Sequence, residues 1–219
     1  MHIKEGVNVY AQVLNNAFQQ REPILKEELK NVLQISNENS FNQAISNLVL
    51  FGFLKRLENG IYYIQSSKKK FESLKPSIHE VVFKKYLMND EGIRSGAYVL
   101  YKYKFTSQVS EYYEILSNKV SPKTRSKKEY KGKVIVSSPK FEINGNSIKY
   151  LEFLEIIKHI DLSDYDYNEN IEKLSDMLYD LKLNKDLLVK YSNFYKGNRF
   201  VSLRNNVKRV IDYEITRKR

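Results

Sequence analysis

An α+β fold in two parts is what this sequence predicts: a small helical domain closed by a β-hairpin, then a mixed C-terminal domain with a small antiparallel sheet and a helical bundle end. Three observations predict it. Phe41, Ala44, Ile45 and Leu48 recur at the i, i+3, i+4, i+7 spacing of a core-facing helix stripe. Asn59-Gly60 separates two short apolar runs, the strongest short-range hairpin signal. Four further helical stripes fill residues 150–211.

Taken in order, Val7, Tyr10, Ala11, Leu14, Ala17 and Phe18 hold a helical period and give a first helix of about four turns. Pro23 suits the first position of a second helix, whose buried face is Leu25, Leu29, Val32 and Leu33. Residues 35–37 make a turn, a helix over 39–51 follows, and Gly52 stops it. Opposite its stripe that helix carries Asn39, Asn42, Gln43, Ser46 and Asn47, with Ser40 beside them, and no charge stands between Asn39 and Leu54.

Solvated faces in a chain rich in Lys and Glu usually carry charge. A face of uncharged hydrogen-bonding groups instead fits the reading of base edges, since Asn and Gln pair bidentately with adenine in the major groove. Three helices and a hairpin within 66 residues follow the order of a winged helix-turn-helix, with 39–51 as recognition helix and 54–64 as wing. Asn39, Ser40, Asn42, Gln43, Ser46 and Asn47 are therefore candidate DNA-binding residues. Lys55 and Arg56 at the start of the wing, with Lys26 and Lys30 on the second helix, are candidate phosphate contacts.

Residues 67–76 read as a basic linker containing Lys68, Lys69 and Lys70, which separates a DNA-binding domain over 1–66 from a second domain over 77–219. Residues 78–88 suit a helix with Val81, Val82 and Phe83 partly buried. Ser95 can cap a helix carrying Val99, Leu100 and Tyr103, and Thr106 begins an extended segment. Residues 112–116 and 134–136 are strand candidates, and Asn144-Gly145 turns the chain between 141–143 and Ile148.

Between the two strands lies the densest basic run, read as a loop: Lys123, Arg125, Lys127, Lys128, Lys131 and Lys133 against Glu129 alone. Such a loop suits phosphate, on DNA or on RNA. The last helical stripe adds Arg199, Arg204, Lys208, Arg209 and Arg217-Lys218-Arg219 as a second basic surface. Asp161, Asp164, Asp166 and Glu169 lack the glycine and spacing of a calcium loop and read as helix caps.

The net charge of +11 points to a polyanionic partner. It is unevenly placed. Residues 1–66 hold six basic and six acidic side chains, residues 67–150 eighteen and eight, and residues 151–219 thirteen and twelve. The neutral reader would supply specificity, and the basic middle would supply salt-dependent attraction. Hydrophobic content of 42% and charged content of 29% fit a folded chain. With no long apolar run and no export signal, no membrane partner is expected, and the protein is expected in the cytoplasm. The absence of cysteine excludes disulfides, thiolate metal sites and a cysteine nucleophile. Seventeen tyrosines accompany the Lys and Asn excess of an AT-rich coding sequence, so they do not by themselves indicate base stacking.

The order of parts is more specific than any single motif. A wing with Gly60-Ile61-Tyr62-Tyr63 precedes Ser95-Gly96 at a helix start, then Thr106-Ser107-Gln108-Val109, then Ser117-Asn118. In this the chain resembles the AbiEi-type antitoxins of type IV abortive-infection toxin–antitoxin systems. It departs from them where Lys102-Tyr103-Lys104-Phe105 replaces a Leu-Gly-Leu and where Ser110 replaces a proline. The resemblance implies a bifunctional protein. Its winged helix would bind inverted repeats in its own promoter as an autorepressor. Its C-terminal domain would neutralise a cognate nucleotidyltransferase-like toxin without requiring a stable complex, and the basic surfaces would then face DNA, RNA or toxin. A plain transcriptional regulator with a ligand-binding or dimerisation domain is the alternative.

No cofactor, metal site or enzymatic activity is expected. The best catalytic candidate is a nuclease built on Glu129-Tyr130-Lys131 with Glu111 or Glu114 as the second carboxylate, since metal-dependent cleavage needs two carboxylates on one ion. Glu129 in a polar loop would be poorly preorganised for that task.

Overall fold

A computed structural model describes residues 2–65, 75–124, 126–160, 162 and 167–217. The fold is α+β, and the chain divides into two compact units, Met1–Lys85 and Tyr86–Arg219. That boundary falls inside the segment expected to be the first helix of the second domain. Lys68, Lys69, Lys70 and most of the expected linker lie outside the described residues. Among the described residues no helix is long and apolar enough to cross a membrane.

The first unit runs α1 (His2–Ala17), β1 (Ile24–Leu25), α2 (Lys26–Leu33), α3 (Glu38–Leu50), β2 (Leu54–Glu58), β3 (Ile61–Ile64) and α4 (Ile78–Val82). Phe41, Ile45 and Leu48 of α3 join Val7, Ala11 and Leu14 of α1, Leu29 and Leu33 of α2, and Leu54, Tyr62 and Ile64 of the hairpin in one core. Asn37 caps α3, its side chain accepting from the Ser40 amide at 3.0 Å. Gly52 takes φ +79°, the left-handed turn that ends the helix. Gly60 takes φ +78° between β2 and β3, which pair from Leu54↔Ile64 to Glu58↔Ile61 with a bulge between Arg56 and Glu58.

One expectation fails here. Pro23 does not open a helix; it leads into β1, which pairs with β3 through Ile24↔Tyr62 and Leu25↔Ile61. The hairpin is thus the larger part of a three-stranded antiparallel sheet, in the order β1-β3-β2.

The second unit holds a four-stranded sheet in the order β4-β5-β7-β6: β4 (Gly92–Arg94), β5 (Tyr113–Ser117), β6 (Ser126–Glu129) and β7 (Val134–Ser137). It is mixed rather than antiparallel, because β5 runs parallel to β7 while β6 folds back on β7 as a hairpin. The middle of the basic run expected as a loop, Ser126–Glu129, is edge strand β6, followed by a turn at 130–132, while Lys123 before it has no regular structure. Lysine on an edge strand is a common way to discourage pairing with another chain.

Helices α5 (Ala97–Lys102), α6 (Ile148–His159), α7 (Tyr167–Asp180), α8 (Lys185–Ser192) and α9 (Val201–Arg217) complete it. Eight consecutive residues of α6, from Tyr150 to Ile157, are buried, so this helix is enclosed on every side. Its two carboxylates find partners: Glu152 accepts from Lys102 at 2.6 Å and Tyr103 at 2.5 Å, and Glu155 from Lys158 and Tyr195. Burial, followed by the Glu152 bond, pushes the Tyr103 hydroxyl above its ordinary range.

Two further expectations are corrected, at Thr106 and at Ser95. Thr106 begins no strand: residues 105–112 have no regular structure, Val109 is exposed, and Thr106 Oγ1 instead accepts from the Gln108 amide at 3.1 Å. Asn144-Gly145 does turn the chain between 141–143 and Ile148, feeding it into α6, with Asn144 Oδ1 accepting from the amides of Asn146 and Ser147. Ser95 does not cap α5, because Gly96 occupies the cap position at φ +61°.

Ser117 and Asn118 are stitches. Ser117 Oγ donates within 3.2 Å of the Tyr86 and Glu91 carbonyls. Asn118 bonds the Ile143 backbone twice, donating at 2.7 Å and accepting at 2.9 Å. Gly92 beside them has no room for a side chain, since a Cβ would meet the Tyr86 carbonyl oxygen at 2.1 Å.

Candidate nucleic-acid interface

The core stripe of α3 fixes what its other side displays. With Phe41, Ala44, Ile45 and Leu48 held inward, Asn39, Ser40, Asn42, Gln43 and Ser46 are exposed and Asn47 is half-buried. Gln43 Nε2 donates to Asn47 Oδ1 at 3.1 Å, one turn away, which orients both side chains before any ligand arrives.

The face has two halves. Asn39, Ser40, Gln43 and Asn47 border an open groove of about 560 Å³ walled on the far side by Gly6, Val7 and Tyr10 of α1. Asn42 and Ser46 stand outside it. Gly6 leaves open space where a side chain would stand.

The helix begins one residue earlier than the sequence spacing predicts, and that residue is Glu38. Its carboxylate receives Lys26 Nζ at 2.9 Å and Lys30 Nζ at 2.8 Å, joining α2 to the start of α3. An acidic group in the first turn also suits the positive end of the helix dipole. The bonds from Lys30 and then Lys26 hold the Glu38 carboxyl down at about 2. Both candidate phosphate contacts on α2 are therefore engaged with a carboxylate in the absence of a ligand.

At the hairpin, Lys55 and Arg56 are exposed. Arg56 Nη2 donates to Tyr62 Oη at 3.2 Å, and its guanidinium lies 5.5 Å from the centre of the Tyr62 ring. That contact aims Arg56, whereas Lys55 makes no ion pair among the described residues. Lys84 and Lys85 at the end of the unit are paired, the first with Glu28 at 2.8 Å and Glu22 at 3.5 Å, the second with Glu58 at 2.7 Å.

In the second unit, Lys123, Lys127, Lys128 and Lys131 are exposed, and none pairs with a carboxylate among the described residues. Arg125 lies outside those residues. Because successive strand residues face opposite ways, Lys127 and Lys128 project from opposite faces of β6, so the run is a basic edge and not one patch. On α9, Arg204 is partly consumed, its Nη1 donating to the Tyr195 carbonyl, while Lys208 and Arg209 are exposed.

Of the two nuclease pairings, Glu129 with Glu114 is not assembled. Glu129 aligns with Val134 and hence with Tyr113, which places Glu114 on the opposite face of the sheet. Glu129 accepts instead from Tyr86 Oη at 2.8 Å. Among the described residues there is no cluster of three metal-ligating side chains.

Sequence reasoning missed the Glu38 clasp, whose three members are brought together only by the packing of α2 on α3. It also missed a polar cavity over β5 and β7, taken up below. No protein-family model matches the chain, and no curated protein matches it.

Proposed function

We propose that the chain is a sequence-specific DNA-binding repressor whose first unit acts as a winged helix-turn-helix, and that it is the antitoxin of a type IV abortive-infection system acting in the cytoplasm. The observation that carries the DNA half is the outward face of α3: uncharged amide and hydroxyl groups on a capped helix with a fully buried opposite stripe. Donor and acceptor groups on a rigid helix are what direct readout of base edges requires.

Lys55 and the Tyr62-supported Arg56 stand where the β-hairpin would meet backbone phosphate. Lys26 and Lys30 join them by exchanging Glu38 for phosphate, at small cost because exposed ion pairs are weak. The lysines of β6 and the cations of α9 supply sequence-independent attraction.

Support for the antitoxin half is the order of parts shared with the AbiEi-type family, from the Gly60-Ile61-Tyr62-Tyr63 wing to Ser117-Asn118. The promoter's inverted repeats and a nucleotidyltransferase-like toxin are the proposed partners. Mobility-shift titration on the DNA upstream of the gene tests the first half. Asn42→Ala and Gln43→Ala should each cost about 1–3 kcal/mol of specific binding while leaving weak non-specific binding in place. Unchanged affinity in both variants refutes the assignment of α3. Co-expression with an adjacent nucleotidyltransferase gene tests the second half. Specific DNA binding without rescue of growth would leave the plain regulator.

A further inference from the structure

A second polar site lies wholly within the Tyr86–Arg219 unit. It is a cavity of about 220 Å³ floored by β5 and β7 and walled by α6, with Glu114, Ser137, Lys140, Glu155, Lys158 and Tyr195 around it. Ser95 and Phe200 also border it.

Its charges sort into two classes. Glu155, 2% exposed, is satisfied internally: it accepts from Lys158 and from Tyr195 Oη at 3.2 Å, with His159 at 4.0 Å. Burial and the Glu155 charge raise the Tyr195 hydroxyl well above its ordinary range, so tyrosine and carboxylate form a fixed wall. Glu114 and Lys140 are different. Among the described residues neither takes part in an ion pair, and Lys140 has only the Phe200 ring, at 5.8 Å from its centre.

The Ser95-Gly96 dipeptide is built around this unmatched carboxylate. Gly96, at φ +61°, lies so close beneath Glu114 that a Cβ would stand 2.3 Å from Oε1, and the Ser95 amide donates to the Glu114 carbonyl at 2.8 Å. Ser95 is 6% exposed, and its hydroxyl makes no hydrogen bond among the described residues. That hydroxyl is not among the buried unsatisfied groups, so it opens into the cavity and is available to an occupant.

A half-exposed carboxylate and an exposed ammonium, neither in an ion pair, together with an open hydroxyl suit an occupant with one positive and one negative end. The space, about 220 Å³ and open to solvent on one side, has room for a small polar molecule. The wall carries two carboxylates, Glu114 and Glu155, against two ammonium groups, Lys140 and Lys158, so it has no excess of positive charge to draw a pure anion.

We propose that this cavity is a binding site for a compact zwitterion of the α-amino-acid class, its ammonium held by Glu114, its carboxylate by Lys140, and its polar remainder by Ser95. The site stands independently of the DNA-binding reading.

Ligand-observed NMR on the full chain tests it. The probe is a mixture of L-alanine, L-serine, L-threonine, L-asparagine and L-glutamine, with inorganic phosphate as a separate arm. Saturation transfer to at least one amino acid is expected. Its N-acetyl derivative and its methyl ester, each lacking one charge, should bind about tenfold or more weakly, since a charge-assisted hydrogen bond is lost in each.

Glu114→Gln and Lys140→Gln should show the same loss with unchanged circular dichroism and unchanged melting of the ligand-free protein. Gly96→Ala should abolish binding by displacing the Glu114 carboxylate. If that variant fails to fold, the two Gln variants carry the result. The proposal is overturned by a folded protein that binds none of the five. Derivatives or Gln variants binding within about twofold of the parent, or phosphate alone binding, would overturn it equally.

Discussion

In the first unit Lys26 and Lys30 both close on Glu38, Lys84 on Glu22 and Glu28, and Lys85 on Glu58. On the edge of the second unit's sheet Lys123, Lys127, Lys128 and Lys131 meet no carboxylate among the described residues. The amides behave the other way round. Asn39, Asn42 and Gln43 are displayed to solvent, whereas Asn118 is spent on the Ile143 backbone. Composition counts such groups alike, but their surroundings divide them into those that hold the fold and those left for a partner. A helix face that displays amides beside occupied lysines suits discrimination; a strand edge that leaves lysines without carboxylates suits attraction.

The strongest way to break the contrast is to remove the first unit's core support. Phe41→Ala, at a fully buried position, should cost about 3–5 kcal/mol in denaturant unfolding and eliminate specific DNA binding. Whatever low-salt binding survives then reports the second unit's lysines alone. Full retention of specific binding would mean that α3 is not the reader.

A smaller loss is expected at Asn118→Ala, which removes two backbone bonds and leaves Ile143 groups unmet, at about 1–3 kcal/mol. Asn42→Ala should change stability by less than about 0.5 kcal/mol, as for an exposed side chain. Equal stability losses at the two positions would erase the division of amides.

Lys127→Gln and Lys128→Gln sharpen the charge side. Their side chains leave opposite faces of β6, so one of them, and not both, should lower the slope of log affinity against log salt by about 0.9. Equal reductions would require the nucleic acid to contact both faces of the edge.

The smallest effect concerns Glu38. Glu38→Gln frees Lys26 and Lys30 and should raise DNA affinity a few-fold at low salt, with no gain at high salt. Because the folded carboxyl is held at about 2, below its ordinary 4.5, the clasp's contribution to stability is fully present above about 4.5. It is lost as pH falls toward 2, so the acid limb of the first unit's stability profile should be shallower in Glu38→Gln.

The hairpin and α3 were legible because their signals are local: a helical stripe, an Asn-Gly pair and a stopping glycine lie within 26 residues. What escaped depends on partners distant in sequence. Ile24-Leu25 is a strand only because β3 lies beside it, and Ser126–Glu129 only because β7 does. Three polar residues and a serine carry no strand pattern of their own. Asn144-Gly145 is a true turn, and only the helical periodicity after Ile148 shows that it feeds a helix. The face of α3 was readable from its composition, but its neutrality was misjudged by one residue, since Glu38 belongs to the helix and holds two lysines. The cavity left no sequence signal, because nothing in the spacing of Gly96, Glu114 and Lys140 shows that they meet.

The enclosure of α6 bears on how the second unit comes apart. Tyr150 to Ile157 share one core with Ile93 of the sheet and with Leu188, Leu203 and Val207 of α8 and α9. No fraying of a single neighbour frees such a helix, so its amides should exchange with solvent only when the whole unit opens. The slowest-exchanging amides of the second unit thus belong to the helix that carries Glu155, and their rate reports the stability of the unit beneath the cavity.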